Sequence, residues 1–415
     1  MVLPEDFIAL MRSHLGDAQA DALFQGLAQE PTVAVRFNPR KTAHLTLSPE
    51  LTDPVPWCPG AYYLPQRYAF TFDPLFHAGA YYVQDASSMY LAEVLRKYGA
   101  CRSYESNESY ESYKSHKPNN TPLLALDLCA APGGKSTLLA AMLPEGSTLI
   151  SNEPIRKRAQ VLAENMQKWG SPGCYVTQNF PQDFGHLRHM FDFILADVPC
   201  SGEGMFRKDP VALQEWSLQN VQQCAERQRD ILRAILPTLR LGGLLVYSTC
   251  TFNRFEDEDQ VRWLQSEYGL QLLEERHFLP GRDRGEGLYI AALRCTEDAE
   301  KAADLERADD DAPRISPAHL QRMLKTLNLI ADVDDYNRQI PDCSIELSYA
   351  DSIRYLRREA LHIAAPRGMV VVTYRGLPLG LAKSVGTRLN NLYPQEWRIR
   401  TTYSPTDPLP DFFVL

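Results

Sequence analysis

Two of the nine cysteines stand where they could do chemistry. Cys200 lies in FDFILADVPCSGEGMFRKDP (191–210), where an apolar strand delivers Asp197, Pro199 and Cys200 to its carboxyl end. Cys250 lies in GGLLVYSTCTFNRFEDEDQV (242–261), at the end of a second apolar strand. In an open α/β sheet the carboxyl edge of the strands is where ligands bind. A single cysteine is most often a small buried apolar residue. Two of them, each just past a strand in a polar turn and facing an acid, point to a reactive pair.

A third segment, LDLCAAPGGKST (126–137), ends a strand at Asp127 and Leu128 and turns through small residues into a helix. Gly133 and Gly134 let the backbone approach a ligand, and the N–H groups of the helix start favour an anionic moiety. A nucleotide or cofactor site follows, although a tight strand-to-helix connection would need the same residues. Lys135 suggests a phosphate loop, but that pattern requires a glycine at position 129, where Cys129 stands. Glu153, 26 residues after Asp127, closes the next strand. An acid there either accepts hydrogen bonds from ribose hydroxyls or marks a helix entrance ahead of Pro154.

These residues need elements to hold them. Short apolar runs, LLALDLC (123–129), TLISNE (148–153), CYVTQN (174–179), FDFILADV (191–198) and LLVYSTC (244–250), alternate with longer helical patterns. That order predicts an α/β fold with a parallel, doubly wound sheet. LQLLEE (270–275) and LYIAALRC (288–295) lack a long helix between them and predict a closing antiparallel hairpin. Gly170 and Gly242-Gly243 are expected to cap helices in the left-handed conformation. Upstream, helical patterns at 4–15, 17–28 and 85–98 flank an extended TVAVRFNPRK (32–41); downstream, a helix near 316–330 precedes β-rich segments. Two composition breaks, RSYESNESYESYKSHKPNN (102–120) and an acidic run at 297–312, divide the chain. The expected organisation is an N-terminal domain (1–101), a flexible insertion (102–120), a catalytic domain (121–296), an acidic linker (297–315) and a small C-terminal domain (316–415).

Length and composition set the outer bounds. With 415 residues, 44% apolar and 23% charged, the chain is too long for one ordinary core and too apolar to be mainly disordered. The cysteines are odd in number and never spaced CxxC, which argues against a disulfide scaffold or a zinc ribbon, and no metal is expected. No run approaches the roughly 20 apolar residues of a membrane helix, and MVLPEDFIALMRSHLGD reads as an amphipathic helix rather than a signal peptide. The expected location is the cytoplasm, away from membranes. Net charge is −9, yet residues 297–312 hold eight acids against two bases, and from Arg367 onward six bases face three acids. A polyanionic ligand is therefore not excluded.

CAAPGGKST, ADVPCSGEG and YSTCTFN, flanked by RFNPRK (36–41), AGAYYVQDASS (78–88) and GEGLYIAALR (285–294), resemble the Sun/Fmu class of RNA cytosine-5 methyltransferases over nearly the whole chain. The GEGMFRKDP extension and a C-terminal RNA-binding module resemble its members that act on bacterial small-subunit rRNA. The resemblance implies a Rossmann-like class I methyltransferase sheet, S-adenosylmethionine as cofactor, an N-terminal helical and α+β domain, and a PUA-like C-terminal domain. It implies a monomer whose partner is small-subunit rRNA or the 30S subunit, with tRNA as a further candidate.

The resemblance also assigns roles. Cys250 is the nucleophile that adds to cytosine C6, Cys200 serves product release, and Asp197 either donates a proton at N3 or reads the exocyclic amine as a fixed carboxylate. Cys129, Ala130, Ala131, Pro132, Gly133, Gly134 and Lys135 surround the methionine moiety, with Asp197 beside them, and Glu153 holds the ribose. The third strand, where relatives carry an acid, reads VTQNFPQDF here, so Asn179 is the expected adenine contact and Asp183 the weaker one. The target base must be flipped out to reach the cysteines. Arg36, Arg40, Lys41, Arg207, Lys208, Lys383, Arg388 and Arg398, with Tyr393 and Trp397, are expected as phosphate or stacking contacts. Two rivals remain: a DNA cytosine methyltransferase with Cys200 as attacker, and a non-catalytic assembly factor that retains the fold to bind RNA.

Overall fold

The computed structural model describes residues 2–98, 121–296, 316–401 and 409–414. The insertion at 102–120 and the linker at 297–315 lie outside the described residues. The rest divides into two compact units: residues 1–32, 85–162 and 173–331 form the first, and 33–84, 163–172 and 332–415 the second.

The first unit is built on an eight-stranded sheet. Its strands are β1 (Leu124–Asp127), β2 (Thr148–Asn152), β3 (Cys174–Thr177), β4 (Phe191–Asp197), β5 (Leu239–Thr249), β6 (Gln271–Phe278), β7 (Leu288–Arg294) and β8 (Leu329–Asp332). They lie in the order β6-β7-β5-β4-β1-β2-β3-β8. The β1–β2, β1–β4, β2–β3 and β4–β5 pairs are parallel, and β7 runs antiparallel to both β5 and β6. The parallel inner strands β1 to β4 are buried almost throughout, as strands covered on both faces must be, whereas the edge strands β6 and β8 are largely exposed or half-buried. The predicted doubly wound order and the closing hairpin are both present.

Local chemistry sets most helix ends. α1 (Glu5–Leu15) starts with Glu5 and Asp6 in its first turn, complementing the dipole, and stops at Gly16 with φ +78°. Its Phe7 and Met11, one turn apart, are buried, as are Ala20, Leu23 and Leu27 of α2 (Asp17–Leu27). Gly170 caps the helix Arg156–Trp169 as expected, with φ +75° and its N–H on the Met166 carbonyl. Gly242 and Gly243 do not cap a helix. The helix Leu218–Ile235 ends ahead of Pro237, and both glycines lie inside β5. The expected helix at 316–330 stops at Leu324, and the residues after it become the edge strand β8.

The second unit has a three-stranded sheet centred on Val33–Phe37 and a four-stranded sheet formed by Ser344–Glu346, Gly368–Tyr374, Leu377–Ser384 and Leu389–Asn391. Val35, Phe37 and Tyr81 share one apolar cluster with Val370, Val372, Leu377 and Phe413. The compact units cut across the expected division in two places. Residues 1–101 are split, α1 and α2 joining the catalytic sheet and 33–84 joining the C-terminal residues. Met323, Leu324 and Leu327 pack into the core of the large sheet rather than into a separate C-terminal domain. Among the described residues no helix is long and apolar enough to cross a membrane.

Candidate active site

β4 and β5 pair in parallel with Asp197 opposite Ser248, so the turns that follow them leave the sheet side by side. The Val198 N–H bonds to the Ser248 carbonyl at 3.1 Å, extending the register beyond the strands. The Cys200 and Cys250 sulfurs consequently stand 3.3 Å apart, both partly exposed. The Cys200 thiol is pushed well above its usual range by its hydrogen bond with Cys250, by burial and by the nearby Glu256 carboxylate.

Asp197 is fixed on both oxygens. Its Oδ1 accepts from the Ser248 hydroxyl at 2.6 Å, and its Oδ2 meets the Lys135 ammonium at 2.8 Å. Burial opposes the Lys135 charge, but Asp197 outweighs it and holds the ammonium above its ordinary pKa. Lys135 lies in the first turn of α3 (Gly134–Met142), which is entered through Gly133 at φ +115°, a conformation that favours glycine. The pair thus links the small-residue turn after β1 to the rim that carries the cysteines.

The turn itself is stapled by a residue that the sequence reading missed. Asn152, fully buried, donates to the carbonyls of Leu128 and Asn179 and accepts from Thr177 Oγ1 and the Asn179 N–H. The Asn152 carbonyl accepts the Ala130 N–H at 2.8 Å. The loops after β1, β2 and β3 are therefore held by one amide, whose signal in the sequence is only a polar residue ending a buried strand. Glu153, 1% exposed, accepts the Ile155 N–H at 3.0 Å and faces Arg158 at 3.4 Å, while Arg158 also reaches the Ala131 carbonyl. Glu153 is both a helix-entrance acid and part of the rim. Asp127 is buried with Ser136 donating to Oδ2 at 2.6 Å, and burial pushes its carboxyl up to about 7.

The Asn179 side chain is held within the protein at both ends. Its Oδ1 accepts the Asn328 N–H at 3.0 Å and its Nδ2 donates to Asp183 at 3.3 Å; Asp183 in turn caps the Phe180 N–H. Exposed at the same strand ends are two apolar side chains, Ile155 (52%) and Phe180 (62%).

The family model for 16S rRNA methyltransferase RsmB/F matches residues 115–294. Models for the N-terminal domain of 16S rRNA methyltransferase RsmF and for the methyltransferase RsmF PUA domain match 3–86 and 343–399. The chain belongs to the RsmB/F methyltransferase family. Ribosomal RNA small subunit methyltransferase F of Cronobacter sakazakii is 28% identical over 95% of this chain and 96% of its own. The protein of the same name from Pectobacterium atrosepticum is 33% identical over 64% of this chain and 53% of its own. Two solved structures share the fold: a methyltransferase homolog from Pyrococcus horikoshii (TM-score 0.56, 21% identity, 70% of this chain and 95% of that one), and NSun6 from the same organism with SFG (TM-score 0.54, 19% identity, 71% and 98%).

S-adenosylmethionine is the cofactor of an RsmB/F methyltransferase, and the residues present fit it. The turn at 129–135 offers backbone N–H groups and small side chains, Glu153 offers a buried carboxylate for hydroxyls, and Asp127 Oδ1 is a buried acceptor with no partner among the described residues. Nearby negative charge suits a cationic sulfonium.

The expected RNA contacts separate into two groups. Arg40, Lys208, Lys383 and Arg388 are exposed, and Arg398 and Trp397 are half-buried. Arg36, Lys41, Arg207 and Tyr393 are not available at the surface. Arg36 is 3% exposed, stacks 4.6 Å from the Trp169 ring and donates to Gln84. The Lys41 ammonium donates to the carbonyls of Ala78 and Lys168, at the end of the helix Arg156–Trp169, and burial lowers its pKa to about 8. Arg207 is enclosed by Glu286 at 2.9 Å and the carbonyls of Gly26 and Gly285. Tyr393 is buried between Tyr355 and Trp397.

Proposed function

We propose that this chain methylates C5 of a cytosine in small-subunit ribosomal RNA, with Cys250 as the nucleophile. The observation that carries the reading is the pair of sulfurs 3.3 Å apart on the rim that also holds Asp197 and Lys135. Ribosomal RNA enters from the names of the relatives and from the RsmF domain matches at both ends of the chain.

Cytosine C5 is a weak nucleophile, and a thiolate bonded to C6 converts the ring into an enamine whose C5 can attack. When bound, S-adenosylmethionine supplies an electrophilic methyl group on a cationic sulfur. After transfer, C5 gives up its proton, the carbon–sulfur bond breaks, the double bond reforms and Cys250 leaves. Cys200, 3.3 Å from the leaving sulfur, carries the protons of this elimination: its thiol gives a proton to the departing Cys250 sulfur, and the thiolate left behind takes the proton that C5 releases. Asp197, anchored by Lys135 and Ser248, is suited to the fixed-carboxylate role, accepting a hydrogen bond from the exocyclic N4 amine of the base. Ile155 and Phe180 offer apolar faces for the adenine in place of Asn179. Arg40, Lys208, Lys383 and Arg388 are exposed cations for the RNA backbone.

With rRNA and methyl donor supplied, Cys250→Ala is expected to form neither product nor adduct. Cys200→Ala is expected to accumulate a covalent protein–RNA species on denaturing gels. An active Cys250→Ala enzyme sinks the assignment, and exchanged phenotypes would transfer the attack to Cys200.

A further inference from the structure

Two carboxylates that the chemistry above does not use lie fully buried behind the cysteines. Glu203 follows Cys200 by three residues yet serves the other cysteine's loop: its Oε2 accepts the Phe252 N–H at 2.6 Å and its Oε1 accepts Asn253 Nδ2 at 2.9 Å and Trp216 Nε1 at 3.0 Å. Glu256 follows Cys250 by six residues and serves the Cys200 loop in return: it accepts the Ser201 N–H at 3.0 Å and the Ser201 hydroxyl, together with Gln228 Nε2 at 2.8 Å and Asn253 Nδ2 at 2.9 Å. One Asn253 amide touches both acids, and the Gly204 N–H bonds to the Cys250 carbonyl at 2.8 Å.

We infer that Glu203 and Glu256 form a reciprocal cross-brace that sets the distance between Cys200 and Cys250, and are thereby positioning residues for resolution of the covalent adduct. Each loop supplies the acid that grips the other, so neither sulfur can move without breaking bonds made by its partner's loop. A carboxylate suits this task because its two oxygens accept about four hydrogen bonds and can collect donors from separate segments. It is a costly device. Burial and the neighbouring Glu256 push the Glu203 carboxyl up to about 7, against the three N–H donors that favour its anion. Apolar side chains would fill buried space more cheaply. The arrangement gains precision where a displacement of about 1 Å costs a reaction about a hundredfold.

The inference rests on the assignment of Cys250 as nucleophile and Cys200 as resolving group, and two readouts separate it from that assignment. The first ignores catalysis: oxidised glutathione is added to the cofactor-bound enzyme, two thiols lose two electrons to form the Cys200–Cys250 disulfide, glutathione disulfide is reduced to two glutathiones, and mass spectrometry times the linked peptide. The second follows covalent adduct with rRNA. Glu256→Gln turns one acceptor oxygen into a donor facing N–H groups, as does Glu203→Gln. Each is expected to slow disulfide formation at least about tenfold while methyl-donor binding persists. Glu256→Gln is further expected to accumulate adduct with Cys200 still present, which a merely unstable enzyme would not do.

Disulfide rates within twofold of wild type in both variants overturn the brace, whatever the adduct does. Slow disulfide formation with no adduct in either Glu256→Gln or Cys200→Ala supports the brace and overturns the catalytic assignment instead. Slow disulfide formation with adduct in Cys200→Ala but none in Glu256→Gln keeps the brace as a structural link and overturns its part in resolution. Should the glutamine variants not fold, Ser201→Ala removes one bond only: a slowing of about threefold supports the brace, and an unchanged rate overturns it.

Discussion

The Lys135–Asp197 pair ties the cofactor turn to the cysteine rim, and its strength can be worked from the structure. At 2.8 Å and an effective dielectric of about 20, the attraction between unit charges is about 6 kcal/mol before any desolvation is subtracted. The Lys135 side chain is 14% exposed and that of Asp197 31%, so water reaches the pair and part of the gain is lost. The net coupling should exceed the 0.2–1 kcal/mol typical of exposed pairs and fall short of the roughly 3–5 kcal/mol lost when a fully buried pair is broken; about 2–3 kcal/mol is expected. A double-mutant cycle of Lys135→Met and Asp197→Asn isolates it. Native-state hydrogen exchange of the peptides covering 128–140 and 195–203 reads local opening without requiring the two units to unfold together. The non-additive part should appear as about a 30- to 150-fold factor in protection, by the conversion of about 1.4 kcal/mol per tenfold. Ser248→Ala, which removes the other bond to Asp197, serves as the comparison. A coupling below about 0.5 kcal/mol would refute the claim that this pair fixes the rim.

Asp127 predicts a pH effect of determinable sign. Its folded pKa of about 7 exceeds the 3.8 of an unperturbed aspartate, so between those limits the folded protein holds a proton that the unfolded chain releases, and stability falls as pH rises through that window. Asp127→Asn should therefore gain thermal stability over wild type at pH 8, by up to about 4 kcal/mol, with the advantage shrinking toward pH 4; a difference independent of pH contradicts this. Arg36→Ala should lower the unfolding temperature of the cofactor-free protein, since a desolvated cation–π contact and a charged hydrogen bond together contribute about 3 kcal/mol, yet leave the salt dependence of RNA binding unchanged. Lys383→Ala or Arg388→Ala should do the reverse, reducing the slope of log affinity against log salt by about 0.7–0.9 each. Equal slopes in all three variants would remove Lys383 and Arg388 from the RNA surface.

The alternation of strand and helix in the large sheet was legible because its inner strands are buried on both faces and announce themselves as apolar runs between helical periods. The turn at 129–135 was legible because small residues and two glycines together have few other uses. The basic residues were not. Arg36, Lys41 and Arg207 read as surface charges, but the fold places each against a ring, a carboxylate or backbone carbonyls that lie far off in sequence. The partners of Asn179 were hidden in the same way, since its carbonyl oxygen accepts from Asn328, 149 residues away. The reach of the helix after Ser316 was misjudged because the large sheet had an open edge beside β3, and pairing there satisfies the backbone of 329–332 as well as a further helical turn would.

Local sequence alone determined which residues could react and on which edge of a sheet they would emerge, because strand period and turn chemistry are properties of neighbours along the chain. Tertiary structure decided the 3.3 Å between the sulfurs, the grip of each cysteine loop on the other, and the union of residues 33–84 with the C-terminal strands. Those depend on side chains dozens to hundreds of positions apart sharing one buried space, and burial is what turns a charge or an amide from a solvated group into a fixed partner.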